Sequence, residues 1–84
     1  MTQTDFRAAF LEELTRVAPD IDPATVGDDD HIQDDLGLDS MDVLNLVVAL
    51  HDCLGIDIPE AQYVEIATPR LASAYLASKV AAGA

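Results

Sequence analysis

Val43, Leu46, Val47, Leu50 and Leu54 follow one another at steps of three, one, three and four residues. Such spacing draws a single apolar stripe along an α-helix. It commits the middle of the chain to a helix over about residues 39–54, which Gly55 ends as a residue able to turn left-handed. The other segments must supply the surfaces that cover this stripe. Phe6, Phe10, Leu14 and Val17, at steps of four, four and three, predict an amphipathic helix over residues 4–18, capped by Thr4 and broken by Pro19. Thr68 followed by Pro69 forms a cap and first-turn pair that opens a last helix to about Val80, with Leu71, Tyr75 and Leu76 facing inward.

The connections read differently. Pro19, Pro23 and Gly27 punctuate residues 19–38 as a long loop, with Asp28, Asp29 and Asp30 as a solvated run. Ile21, Val26, Ile32, Leu36 and Leu38 recur through it and should hold it against the core. Ile56-Asp57-Ile58-Pro59 is too short for much of a strand, and Pro59 can start a short helix over residues 60–65. The predicted fold is all-α, a small four-helix bundle with three main helices, one short helix and a long first loop. It is read as a single domain over residues 1–84.

Size and charge exclude much. Area scaling gives about 4,800 Å² of folded surface, with about 63% of the unfolded chain's surface buried. That sustains one thin core and no deep catalytic cavity. Sixteen Asp and Glu against four Lys and Arg leave a net charge of −12. Phosphate backbones and anionic lipid heads repel such a chain, so neither nucleic acid nor membrane insertion is expected, and basic protein surfaces are the natural partners. A hydrophobic content of 50% argues for folding despite the charge. No apolar run approaches the ~20 residues that span a bilayer. The first residues lack the basic start and apolar run of a secretory signal, and one cysteine, Cys53, forms no internal disulfide, so a reducing, cytoplasmic setting and a monomer are expected. The charges are also segregated: residues 17–69 hold thirteen acids and no Lys or Arg.

The densest signal is Asp34-Asp35-Leu36-Gly37-Leu38-Asp39-Ser40-Met41-Asp42. Gly37 allows a tight turn, and Asp39-Ser40 stands where the second main helix begins. A phosphate attached to a serine there meets the positive end of the helix dipole, worth about 0.3–1 kcal/mol. The neighbouring aspartates repel a free anion, so the position suits a covalent phosphodiester better than a loosely bound ion. The plainer reading is that Asp39 or Ser40 merely caps the helix. Against it stands a second stripe, Met41, Leu44 and Val48, which so small a bundle can hardly bury as well. An exposed apolar strip flanked by Asp39, Asp42 and Asp52 is a docking surface in outline; the alternative packs the three residues under the long loop.

Leu36-Gly37-Leu38-Asp39-Ser40-Met41, in an acidic four-helix chain of this length, resembles the acyl carrier proteins, over essentially the whole chain. The resemblance implies that Ser40 carries phosphopantetheine, installed from coenzyme A by a phosphopantetheinyl transferase. The arm's thiol then holds acyl groups as thioesters for fatty-acid, polyketide or related specialised lipid synthesis, and the carrier is not itself an enzyme. It further implies partner binding by Asp35, Asp39, Met41, Asp42, Leu44, Val48 and Glu60, read by basic patches on acyl-transferring or condensing enzymes. An acyl-chain pocket would be lined by Leu46, Leu50, Leu54, Ile58 and Ile66, which are equally core residues. Asn45, His51 and Cys53 stand where carriers of fatty-acid synthesis are often acidic, which suggests a dedicated set of enzymes. Gly37-Leu38-Asp39 resembles the acyl rather than the peptidyl type.

Rival readings fare worse. The glycine framing of a G-x-S-x-G nucleophile is missing around Ser40. A calcium loop starting at Asp28 puts Ile32 and Gln33 where an oxygen ligand and glycine belong, and one starting at Asp34 puts Leu36 at a ligand position, so no dedicated metal site is expected. His31 and His51 read as surface side chains, and Cys53 as a small semi-buried residue rather than a nucleophile. An acidic helical protein-interaction or divalent-cation-binding module without a prosthetic group is the alternative that composition leaves open.

Overall fold

The computed structural model describes residues 2–83. Three α-helices form the frame: α1 (Gln3–Val17), α2 (Ser40–Leu54) and α3 (Pro69–Gly83). Two 3₁₀ segments, Pro23–Thr25 and Glu60–Ile66, interrupt the connections, and no strand occurs among the described residues. The predicted all-α bundle is the observed one. Its short fourth helix is 3₁₀ rather than α, and the turn at Pro23–Thr25, capped by Asp22 through Ala24 N–H at 3.0 Å, breaks what reads as plain loop. The accessible surface, 4811 Å², matches the area expected for the chain's mass.

α1 starts two residues earlier than the expected Thr4. Thr2 accepts from Asp5 N–H at 3.2 Å while the Asp5 carboxylate accepts from Thr2 N–H at 2.9 Å, a reciprocal box that Thr4 has no acid at the right spacing to make. The helix lays Phe6, Phe10 and Leu14 into the core and packs along α3 and across α2. From α2 come Leu46 and Leu50, from the second 3₁₀ segment Ile66, and from α3 Ala72 and Leu76, all fully buried. Leu71 does not join them: it is 45% exposed, because the buried face of α3 runs through Pro69, Ala72 and Leu76 and leaves Leu71 about 100° round the helix from Ala72. Tyr75 is half-buried, its hydroxyl bonded to Gln62 Oε1.

The long loop lies on the core through Val26, Ile32 and Leu38, all buried, with Ile21 and Leu36 half-buried beside them. In the aspartate run Asp28 and Asp29 are exposed as expected and Asp30 is half-buried, and the run also fastens the loop. Arg7 Nε reaches Asp28 at 2.5 Å and its guanidinium donates to Val26 O at 3.2 Å, while Arg70 Nε pairs with Asp29 at 2.9 Å. Arg70 N–H donates to Asp28 O at 3.0 Å, and Ile32 N–H to Ala67 O at 2.9 Å. One arginine from α1 and one from α3 thus hold the middle of the loop, where the charge segregation along the sequence becomes contact.

Candidate functional site

α2 begins with its own reciprocal cap. Asp39, in extended backbone, accepts from Asp42 N–H at 2.8 Å, and the Asp42 carboxylate accepts from Asp39 N–H at 3.3 Å. Capping therefore falls to Asp39 and not to Ser40, which is the first helical residue. Ser40 is exposed, and among the described residues its hydroxyl makes no hydrogen bond. The backbone N–H groups of Ser40 and Met41 belong to the first turn, where a helix supplies no acceptor. Leading up to it, Gly37 takes φ +81° with nothing within 4 Å of where a Cβ would stand, and its N–H bonds to Gln33 O at 3.1 Å. Leu38 N–H returns to Ile32 O at 3.0 Å. The hydroxyl is thus delivered on a rigid corner.

Past the serine, Met41, Leu44 and Val48 are 62%, 43% and 51% exposed, so the second stripe is left uncovered. Of the expected partner-binding acids, Asp39 and Asp35 are exposed and Asp42 half-buried. Each also has work within the chain: Asp39 and Asp42 make the cap, and Asp35 accepts His31 N–H at 2.7 Å. Glu60 is exposed across from α2, on the second 3₁₀ segment.

Between these two elements opens a groove of about 420 Å³ that includes Ser40 in its lining. Met41, Val43 and Leu44 line it from α2, Glu60, Tyr63 and Val64 from the second 3₁₀ segment, and His31, Ile32 and Gln33 from the long loop. None of the five residues expected around an acyl chain lines it. Leu46, Leu50 and Ile66 are fully buried in the core, Leu54 is half-buried, and Ile58 borders a separate groove of about 350 Å³ with Val48 and His51. The spacing of Glu60, Tyr63, Val64 and Ala67 (i, i+3, i+4, i+7) was the available sign of the lining from the second 3₁₀ segment.

The remaining polar residues resolve as follows. His51 is exposed, 2.7 Å from Asp57 at the C-terminal end of α2. His31 is half-buried and is more than a surface side chain: its Nδ1 accepts from the backbone of Gln33 and Asp34. Cys53 is exposed rather than semi-buried; partial desolvation and the nearby Glu13 carboxylate push its thiol up from the ordinary value, which disfavours a nucleophilic thiolate. Among the described residues no group of three or more His, Cys, Asp or Glu side chains is placed to hold a metal ion, and no helix is long and apolar enough to cross a membrane.

A free hydroxyl, at the open end of a helix and on the edge of an apolar groove, is suited to carry a tethered group. There is space beside it for a chain, and there are N–H groups beside it for a phosphate. The family described as the phosphopantetheine attachment site matches residues 6–76. An acyl carrier protein of Streptomyces coelicolor is 40% identical over 80 residues, covering 95% of this chain and 79% of that protein. The chain belongs to the acyl carrier protein family, and its cofactor is phosphopantetheine.

Proposed function

We propose that Ser40 is the attachment residue and that the chain carries acyl groups as thioesters for a dedicated set of synthetic enzymes in lipid or polyketide assembly. The observation that carries this reading is the Ser40 hydroxyl, exposed and unbonded on the rim of the groove because Asp39 caps the helix in its place. When attached, phosphopantetheine supplies the terminal thiol on which a thioester forms. In the loading step Ser40 Oγ would give its proton to a base of the transferase and bond to the phosphorus that bears the pantetheine, while the bridging P–O bond of coenzyme A breaks and adenosine 3′,5′-bisphosphate leaves. The unpaired N–H groups of Ser40 and Met41 then stand beside the new phosphodiester and favour its charge. Asp35, Asp39 and Asp42 oppose it, so retention depends on the covalent bond and not on anion affinity.

Docking would use Met41, Leu44 and Val48 as the apolar centre, with Asp35, Asp39, Asp42 and Glu60 as the charged rim that a phosphopantetheinyl transferase or a condensing enzyme meets with a basic patch. Asn45, His51 and Cys53, all exposed, lower the charge of the same helix, which supports specialised rather than general partners. A short acyl group can lie in the groove. A long one would reach Leu46, Leu50, Leu54, Ile58 and Ile66 by moving packed side chains. The chain would act as a monomer in a cytoplasmic setting, in keeping with its lone exposed cysteine. Intact-mass measurement after incubation with coenzyme A and a phosphopantetheinyl transferase should show one added arm on the wild type and none on Ser40→Ala. An arm on both, or on neither, would overturn the assignment.

A further inference from the structure

His31 lines the groove beside Ser40 and the start of α2. Its Nδ1 accepts hydrogen bonds from Gln33 N–H at 3.1 Å and Asp34 N–H at 3.2 Å, as a serine or aspartate oxygen does at a cap. The Asp34 carboxylate stands 3.9 Å from the same nitrogen, beyond hydrogen-bond reach, so the backbone donors decide where the ring's proton resides. A nitrogen that accepts from two N–H groups has no proton of its own. In the neutral imidazole the single proton is therefore on Nε2. The two N–H groups fix the ring through Nδ1, and the His31 backbone is anchored as well. His31 N–H donates to Asp35 Oδ2 at 2.7 Å, and His31 O receives Asp35 N–H at 2.8 Å and Leu36 N–H at 3.1 Å.

Among the described residues Nε2 has no partner, and the His31 side chain is 36% exposed. Of the other donors in the lining, Gln33 and Tyr63 have no hydrogen bond fixing their polar tips among the described residues, Glu60 can only accept, and the Ser40 hydroxyl is consumed on attachment. We propose that His31 is a positioning residue whose Nε2–H donates to a carbonyl oxygen tethered at Ser40, seating that carbonyl in the groove with its apolar flanks on Leu44 and Val64. This rests on Ser40 being the attachment residue. A pre-oriented donor loses less freedom on binding than a mobile one, which favours His31 for the role. The ligand chemistry is an amide or ketone oxygen on an otherwise apolar chain, and it has two sources: the amides of the arm itself, or a 3-oxoacyl cargo.

The test is ¹⁵N and methyl NMR on the full chain in four forms: unmodified, carrying the arm alone, carrying a butanoyl group and carrying a 3-oxobutanoyl group. Mass measurement verifies each loading first, so a failure to load counts against Ser40 and not against His31. The ring proton should be on Nε2 throughout. A shift of Nε2 on adding the arm, equal across cargoes, identifies the arm's amides as the acceptor; a shift appearing only with 3-oxobutanoyl identifies the cargo. His31→Ser keeps an oxygen for the Gln33 and Asp34 N–H groups while removing the ring donor, and it should lose most of the accompanying Leu44 and Val64 methyl shifts. A proton found on Nδ1, an Nε2 signal unchanged in all four forms, or methyl shifts retained in His31→Ser would overturn the proposal.

Discussion

On the inner face of α2, Leu46 and Leu50 are fully buried; on its outer face Met41 and Leu44, residues of similar bulk, are 62% and 43% exposed. Both stripes have helical spacing, and local propensity does not tell them apart. What separates them is the partner available. α1 packs on the inner stripe, whereas α3 packs on α1 and the second 3₁₀ segment, and the outer stripe is left open. Apolar surface left in water costs a small chain solubility and stability, and an uncovered stripe beside Ser40 is what the proposed docking role requires.

Substitutions can break this contrast directly. Leu50→Ala should cost about 2–5 kcal/mol in urea unfolding, because a fully buried side chain leaves a cavity, while Leu44→Ala should stay within about 0.5 kcal/mol of wild type. Equal losses at the two positions would mean that the stripes are not functionally distinct. The reverse effect is expected in docking. Replacing Met41, Leu44 and Val48 together by serine should lower kcat/KM for arm transfer roughly tenfold, with unfolding little changed.

A finer comparison sets Asp39 against its neighbour. Asp39→Ala removes a cap and should cost about 1 kcal/mol, whereas Ser40→Ala should be nearly neutral in stability, within about 0.5 kcal/mol, both read from denaturant midpoints. A large loss at Ser40 would show the hydroxyl to be structural. The smallest effect concerns the loop. A hydrogen bond from Arg70, reinforced by its charge, holds the exposed Asp29 carboxyl below its ordinary value of 3.8. A carboxyl depressed in the folded state stabilises fully above that ordinary value and loses its contribution as pH falls through the lower, folded one. Asp29→Asn should therefore lower the melting temperature slightly near neutral pH and reduce its decline in acid, with the difference vanishing at the acid extreme.

Much of this molecule is written in local pattern. The stripes at Phe6–Val17 and Val43–Leu54, the stops at Pro19 and Gly55, and the Thr68-Pro69 start all act within one or two helical turns, and all appear where the spacing puts them. The Asp39-Ser40 corner was equally legible, because a cap and its glycine turn are neighbours in sequence. What escaped depends on distance or on unusual chemistry. The arginine ties bridge 21 and 41 residues, and nothing local in an aspartate run reveals which charge it will meet. The groove forms only when the second 3₁₀ segment, packed on α3, is brought opposite α2. His31 replaces an oxygen acceptor with a ring nitrogen, a role that residue type does not advertise.

The corner at Gly37 asks for handedness and not for room. Its backbone angle belongs to mirror-image residues, while the space around it is open. A chain assembled chemically with D-alanine at that position would keep the bend and enter folding with fewer loose conformations to give up. The L-enantiomer, identical in volume, would strain the bend that presents Ser40.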